Sequence, residues 1–126
     1  WTTRPSYVDL LDLLARLDLI DHVSPIQLAL RLLIPAGSRL LELEEILALT
    51  GEFDRPALLH RWRHPDPAMD VLAAAALRLV NEAQRERRTR REIFARLYEL
   101  AAQRPPDTFD LLPRAAVPYL DEPWYC

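Results

Sequence analysis

Three groups of side chains have the types and spacing to do chemistry. His60 and His64 stand four residues apart, with Asp66 just beyond. On an uninterrupted helix such a pair can hold a metal ion. Pro65 and Pro67 break any helix there, and no third ligand follows at a suitable spacing. The segment therefore reads as a loop packed by Trp62, with its polar groups in water. Arg85, Arg87, Arg88, Arg90 and Arg91 make the densest positive charge, but Glu82, Glu86 and Glu92 are interleaved. Arg–Glu pairs at helical spacing point to a solvated helix junction rather than a phosphate-binding face. Arg31 is the third case. It lies in an apolar run, where a guanidinium needs a partner or a polar cavity. On a strand, Gln27 and Arg31 share a face. That face either looks into a cleft, where the guanidinium can take a carboxylate, or forms an edge with Arg31 in water.

The rest of the composition narrows the field. The chain has 126 residues, half of them apolar and 28% charged, which is enough for one domain with a core. All 16 basic residues are arginine, and the formal net charge of -3 argues against a dedicated nucleic-acid binder. With 2 glycines, a phosphate-cradling loop is nearly excluded. No nucleophile–base motif of the hydrolase or zinc-protease kinds is present. The one cysteine, Cys126, is the last residue, so there is no internal disulfide or cysteine-based metal site. No run reaches the roughly 18 apolar residues of a membrane helix, and no signal peptide is visible. A cytoplasmic location is expected.

Leucine periodicity predicts the elements. Ser6 as N-cap, with Asp9 three residues on, opens a helix over 6–20 whose inward stripe is Tyr7, Leu10, Leu11, Leu14 and Leu17. Residues 26–34 alternate and read as a buried strand, although Ile26, Ala29, Leu30 and Leu33 also fit a helix. Ser38 caps a helix over 39–49 with Leu40, Leu43, Ile46 and Leu47 inward. A loop over 51–66 follows, with a helical turn at 56–61. Asp66-Pro67 starts a helix to about residue 86, and the Thr89/Glu92 capping box starts another over 90–103, unless the two form one helix kinked near 88. Prolines 105, 106, 113, 118 and 123 preclude a long helix in the tail, which is apolar enough to run extended over the helices. The expected fold is mainly α, helices with at most one short strand. It divides into a helix/strand/helix unit at 1–50, a helical extension at 51–104 and a Pro-rich tail at 105–126, all in one compact unit.

Several stretches combine into a resemblance: Trp1-Thr2-Thr3; the block Asp21-His22-Val23-Ser24-Pro25-Ile26-Gln27 through Arg31-Leu32-Leu33-Ile34-Pro35-Ala36-Gly37-Ser38; Trp62-Arg63-His64-Pro65-Asp66-Pro67; and Glu122-Pro123-Trp124-Tyr125-Cys126. Together they resemble the C-terminal portion of radical S-adenosylmethionine (radical SAM) proteins, specifically the selenoprotein-containing group with a CUAEP or CCAEP tail. The resemblance implies a parent with a partial (β/α) barrel. There a Cys-x3-Cys-x2-Cys motif holds a 4Fe-4S cluster, and SAM is cleaved to a 5′-deoxyadenosyl radical. None of those cysteines is in this chain, so the chain is expected to hold no cofactor and to be inactive without the cluster-bearing part.

It would be the end of the barrel plus a helical extension. Loops after barrel strands face the active site. The resemblance thus makes Trp1, Thr2, Thr3, Gln27, Arg31 and Ser38 the candidates for contact with SAM or substrate. Both ends read as interior to a longer chain. The family tail continues Cys-(Sec or Cys)-Ala-Glu-Pro, so a UGA codon is expected after Cys126, which is then half of a redox pair. The expected partner is the remainder of the barrel. Without it, segment 26–34 has unpaired edges, and the chain either dimerises through that segment or turns it into helix within its own bundle. The alternative is a free-standing helical protein-interaction module.

Overall fold

The structure is a computed structural model that describes residues 1–29 and 31–106. The tail from 107 onward, including Cys126 and its expected extended path, lies outside the described residues. The protein is mainly helical, with one small antiparallel hairpin.

Helix α1 spans Arg4–Arg16, earlier at both ends than periodicity suggests. Thr3, not Ser6, is the N-cap: its hydroxyl accepts the Ser6 N–H, and the Ser6 hydroxyl accepts the Thr3 N–H at 2.9 Å. Pro5 fits the first turn, where no backbone donor is needed. The helix stops before Asp18, whose φ of +56° lies in the left-handed region. Leu11 is fully buried, but Leu10 and Leu17 face outward.

The described residues of 26–34 form no strand. Pro25–Leu28 is a 3₁₀ turn, and residues 31–34 have no regular structure. Ile26 and Ala29, three apart, pack with Ala76, Val80, Ala83, Ile93 and Leu97. The alternation of apolar residues loses to this helical-face burial. The extended end of the segment still borders the hairpin, because the His60 N–H donates to the Ile34 carbonyl at 2.7 Å.

The helix expected over 39–49 is split. Ser38 does cap, its hydroxyl accepting the Leu40 N–H, but it opens only a 3₁₀ turn, Arg39–Glu42. The short helix α2, Glu44–Leu47, follows and buries Ile46, while Leu43 and Leu47 are exposed. The expected loop over 51–66 is instead a hairpin: β1, Thr50–Asp54, pairs antiparallel with β2, Leu59–Trp62. Asp54 holds the turn by accepting the Ala57 N–H, and Leu58 takes φ +57° where the chain reverses.

The two long helices match expectation. Asp66 caps α3, Pro67–Arg85, by accepting the Ala68 N–H at 2.9 Å. The reciprocal Thr89/Glu92 box caps α4, Arg90–Ala102. Arg87, at φ +56°, separates them. Of the four alanines at 73–76, only Ala76 is buried. A second core joins Leu11 of α1 and Ile20 to Phe94, Tyr98 and Ala101 of α4. Arg4 ties the ends together by donating to the Leu100 and Ala101 carbonyls, at the negative end of the α4 dipole.

Candidate functional site

Where α1, the post-turn segment, β2 and the first turns of α3 meet, they leave a half-open cleft of about 280 Å³. Trp1, Arg31, Trp62 and His64 stand on its walls, and Leu72, Ala73 and Ala76 of α3 lie beneath.

Trp62 is the hub. As the last residue of β2 it is carried to the hairpin's end, and its indole N–H donates to the Leu32 carbonyl at 2.8 Å. That bond fixes the ring against the segment that carries Arg31. The Arg31 guanidinium carbon lies 4.2 Å from the Trp62 ring centroid, a cation–π contact. Trp1 also packs on Trp62, its ring centroid 5.2 Å from that of Trp62 and tilted by 39°. His64 stands edge-on to Trp1 at 6.0 Å.

Asp70, in the first turn of α3, organises the charges. Both its oxygens accept the His64 backbone N–H at 3.2 Å. Its Oδ1 is also 2.6 Å from Arg31 Nη2. That distance is an ion pair's, and it ties the guanidinium to the start of α3. The His64 ring is held by the Asp66 backbone, its Nδ1 lying 2.9 Å from the Asp66 nitrogen and 3.1 Å from the Asp66 carbonyl oxygen. Nε2 is covered, with no hydrogen-bond partner among the described residues. Tyr7 also lines the cleft and donates its hydroxyl to the Leu28 carbonyl at 2.8 Å. Burial pushes its pKa up to about 12, so the phenol stays neutral.

The candidate residues thus separate. Trp1, Thr2 and Arg31 come together on the cleft. Thr3 has its hydroxyl in the α1 cap, and Ser38 has its own in a 3₁₀ cap. Gln27 projects into solvent, because the 3₁₀ turn removes the face it would share with Arg31 on a strand. Cys126 is outside the described residues. Sequence reasoning missed Tyr7, which it treated as core, together with the roles of Trp62, His64 and Asp70.

The other two chemical groups are structural. His60 faces Phe53 and the Gly51 carbonyl, in surroundings separate from those of His64. The arginine-rich junction is not wholly solvated. Arg91 is 2% exposed, with Nε donating to Asp21 Oδ2 at 2.8 Å and Nη2 to Asp18 Oδ1 at 3.1 Å. Arg88 pairs in the open with Glu86 and Glu92.

A 4Fe-4S cluster takes several thiolates. The chain has one cysteine, and among the described residues no cluster of His, Cys, Asp or Glu is arranged for a metal. The residues present do not fit such a cluster. No described helix is long and apolar enough to cross a membrane. Tyr7, kept neutral by burial, and Arg31, paired with Asp70, are suited to binding. No protein-family model, curated protein or solved structure matches the chain.

Proposed function

We propose that this chain is the C-terminal portion of a cytoplasmic radical SAM protein of the CUAEP/CCAEP-tail group, and that its cleft forms part of the wall facing substrate. One observation carries the reading. The three described blocks on which the resemblance rests, at Trp1-Thr2, around Arg31 and at Trp62-Arg63-His64, are far apart in sequence and meet at one cleft. The chain binds and orients; the iron–sulfur cluster and the SAM chemistry belong to the remainder of the barrel, its principal partner.

The test is anaerobic purification of the whole protein encoded by the surrounding reading frame. Iron, sulfide and SAM-derived 5′-deoxyadenosine are then measured. The reading expects a four-iron cluster and reductant-dependent 5′-deoxyadenosine. A protein that carries no iron and leaves SAM intact contradicts it.

A second reading, a helical interaction module, draws on one feature. Leu10 and Leu13 of α1, Leu17 at its C-cap, and Leu32 and Leu33 are all exposed. In a radical SAM parent these leucines lie under the rest of the protein, whereas in a module they join two copies of the chain or a partner helix. Concentration-dependent dimerisation of the whole encoded protein, abolished by Leu13→Glu, favours the module.

A further inference from the structure

Much of the cleft's lining is apolar: Leu28, Leu32, Met69, Leu72, Ala73 and Ala76 bring no charge to it. Trp1 and Leu32 stay exposed there. An exposed apolar hollow marks a contact site. At about 280 Å³ it has room for a few apolar side chains and none for a helix, which is about 10 Å across.

The chain's own end lies within reach. Leu100 of α4 packs against the core that contains Ala76, and Arg4 donates to the Leu100 and Ala101 carbonyls. Helix α4 therefore ends beside the first residues of the chain, where Trp1 and Thr2 line the cleft. Arg104 donates to the Tyr98 hydroxyl at 2.7 Å, which fixes the point from which the rest of the chain departs. Residues 107–126 follow. Extended chain advances about 3.3 Å per residue, so half a dozen residues cover about 20 Å.

The sequence of that segment suits the cleft. Phe109, Leu111, Leu112, Val117, Tyr119 and Leu120 supply apolar side chains. Pro113, Pro118 and Pro123 oppose a helix, which the hollow would not admit. The tether also favours this occupant over a free partner, since a short flexible link holds a segment at a local concentration of about millimolar order.

We propose that residues 107–126 turn back on their own chain and seat apolar side chains in the cleft beside Trp1 and Trp62. This goes beyond the preceding reading and does not depend on it. Within that reading, the seated segment becomes part of the wall facing substrate.

The test is nuclear magnetic resonance of the 126-residue chain carrying a nitroxide. The label is attached to the native Cys126 or, in a second protein, to Ala116→Cys combined with Cys126→Ser. A nitroxide erases the signals of nuclei near it. With at least one of the two labels, the Trp62 indole and the Ala73 and Ala76 amides should lose intensity, while Arg88, beyond the far end of α3, keeps it. A control mixes labelled chains without isotope enrichment with enriched chains that carry no label. Loss at the cleft as strong in that mixture as in the labelled chain assigns the cleft to a second copy and overturns the proposal. Full cleft intensity with both labels, or equal loss at Arg88, also overturns it. The native Cys126 label alters no residue, so the test survives a variant that fails to fold. An untouched cleft sinks only this proposal; an iron-free parent sinks only the radical SAM reading.

Discussion

Arg31 sits over the ring of Trp62, its guanidinium carbon 4.2 Å from the centroid, across a separation of some thirty residues. The Trp62 indole bond to Leu32 and the Arg31–Asp70 ion pair hold the two in place. A double-mutant cycle of Arg31→Ala and Trp62→Ala should give a favourable coupling of about 0.5–1 kcal/mol in urea unfolding, the range of a partly exposed cation–π contact. A coupling of zero means that the stack contributes nothing in solution.

The buried ion pair between Arg91 and Asp21 should matter more. Arg91 and Asp21 are both buried, with Nη2 and Oδ2 2.8 Å apart. Arg91→Met leaves Asp21 without its main counter-charge and should destabilise by about 3–5 kcal/mol. The double change Arg91→Met with Asp21→Asn should recover much of that loss. Equal destabilisation by the single and double variants contradicts the account.

The start of α4 makes the protein acid-sensitive. The Glu92 carboxylate accepts the Thr89 backbone N–H at 2.8 Å and the Thr89 hydroxyl at 3.0 Å. These bonds, with the Arg88 charge, hold its pKa below the usual carboxylate value. A carboxylate depressed in the folded state adds stability above its unfolded pKa of about 4.3, which is lost as pH falls through the lower folded value. Asp54, depressed by Arg61 and the Ala57 N–H, acts in the same sense. Urea midpoints should therefore fall as pH drops from about 5 to about 3, and Glu92→Gln should flatten that slope. At neutral pH, Thr89→Ala should cost about 1 kcal/mol by removing the cap.

Tyr7 sets the opposite limit. Its pKa is raised by burial to about 12. A phenol that ionises near pH 10 in the unfolded chain then binds its proton more tightly when folded. Its contribution is complete below about pH 10 and is lost as pH rises toward about 12. Tyr7→Phe should remove that alkaline slope, read as the change in urea midpoint between about pH 9 and about pH 11, each about a unit from the ordinary value. An unchanged slope means that the phenol is not buried against the Leu28 carbonyl.

How much the sequence discloses follows from how local each signal is. Helices α3 and α4 are legible because Asp66-Pro67 and the Thr89/Glu92 box are self-contained start signals ahead of sustained stripes. Segment 26–34 is not, because its alternation is outweighed by the α3 and α4 faces that Ile26 and Ala29 meet. The hairpin is hidden by its turn, Arg55-Pro56-Ala57-Leu58, which lacks the Asn-Gly or Asp-Gly pair that marks tight hairpins. In the cleft, Arg31 stands out because a charge in an apolar run demands an explanation. The place of His64 on the cleft is invisible beforehand, because it depends on the Asp66 backbone that engages its ring and on Asp70, six residues on, that holds its N–H.

The most direct measurement is the nucleotide sequence on both sides of the codons for Trp1 and Cys126. The account predicts an open frame upstream that encodes Cys-x3-Cys-x2-Cys. Downstream it predicts a UGA or cysteine codon followed by codons for Ala-Glu-Pro. A gene that starts and stops close to these residues, or an upstream frame without the cysteine triplet, contradicts the radical SAM reading and leaves a small helical protein with an aromatic cleft.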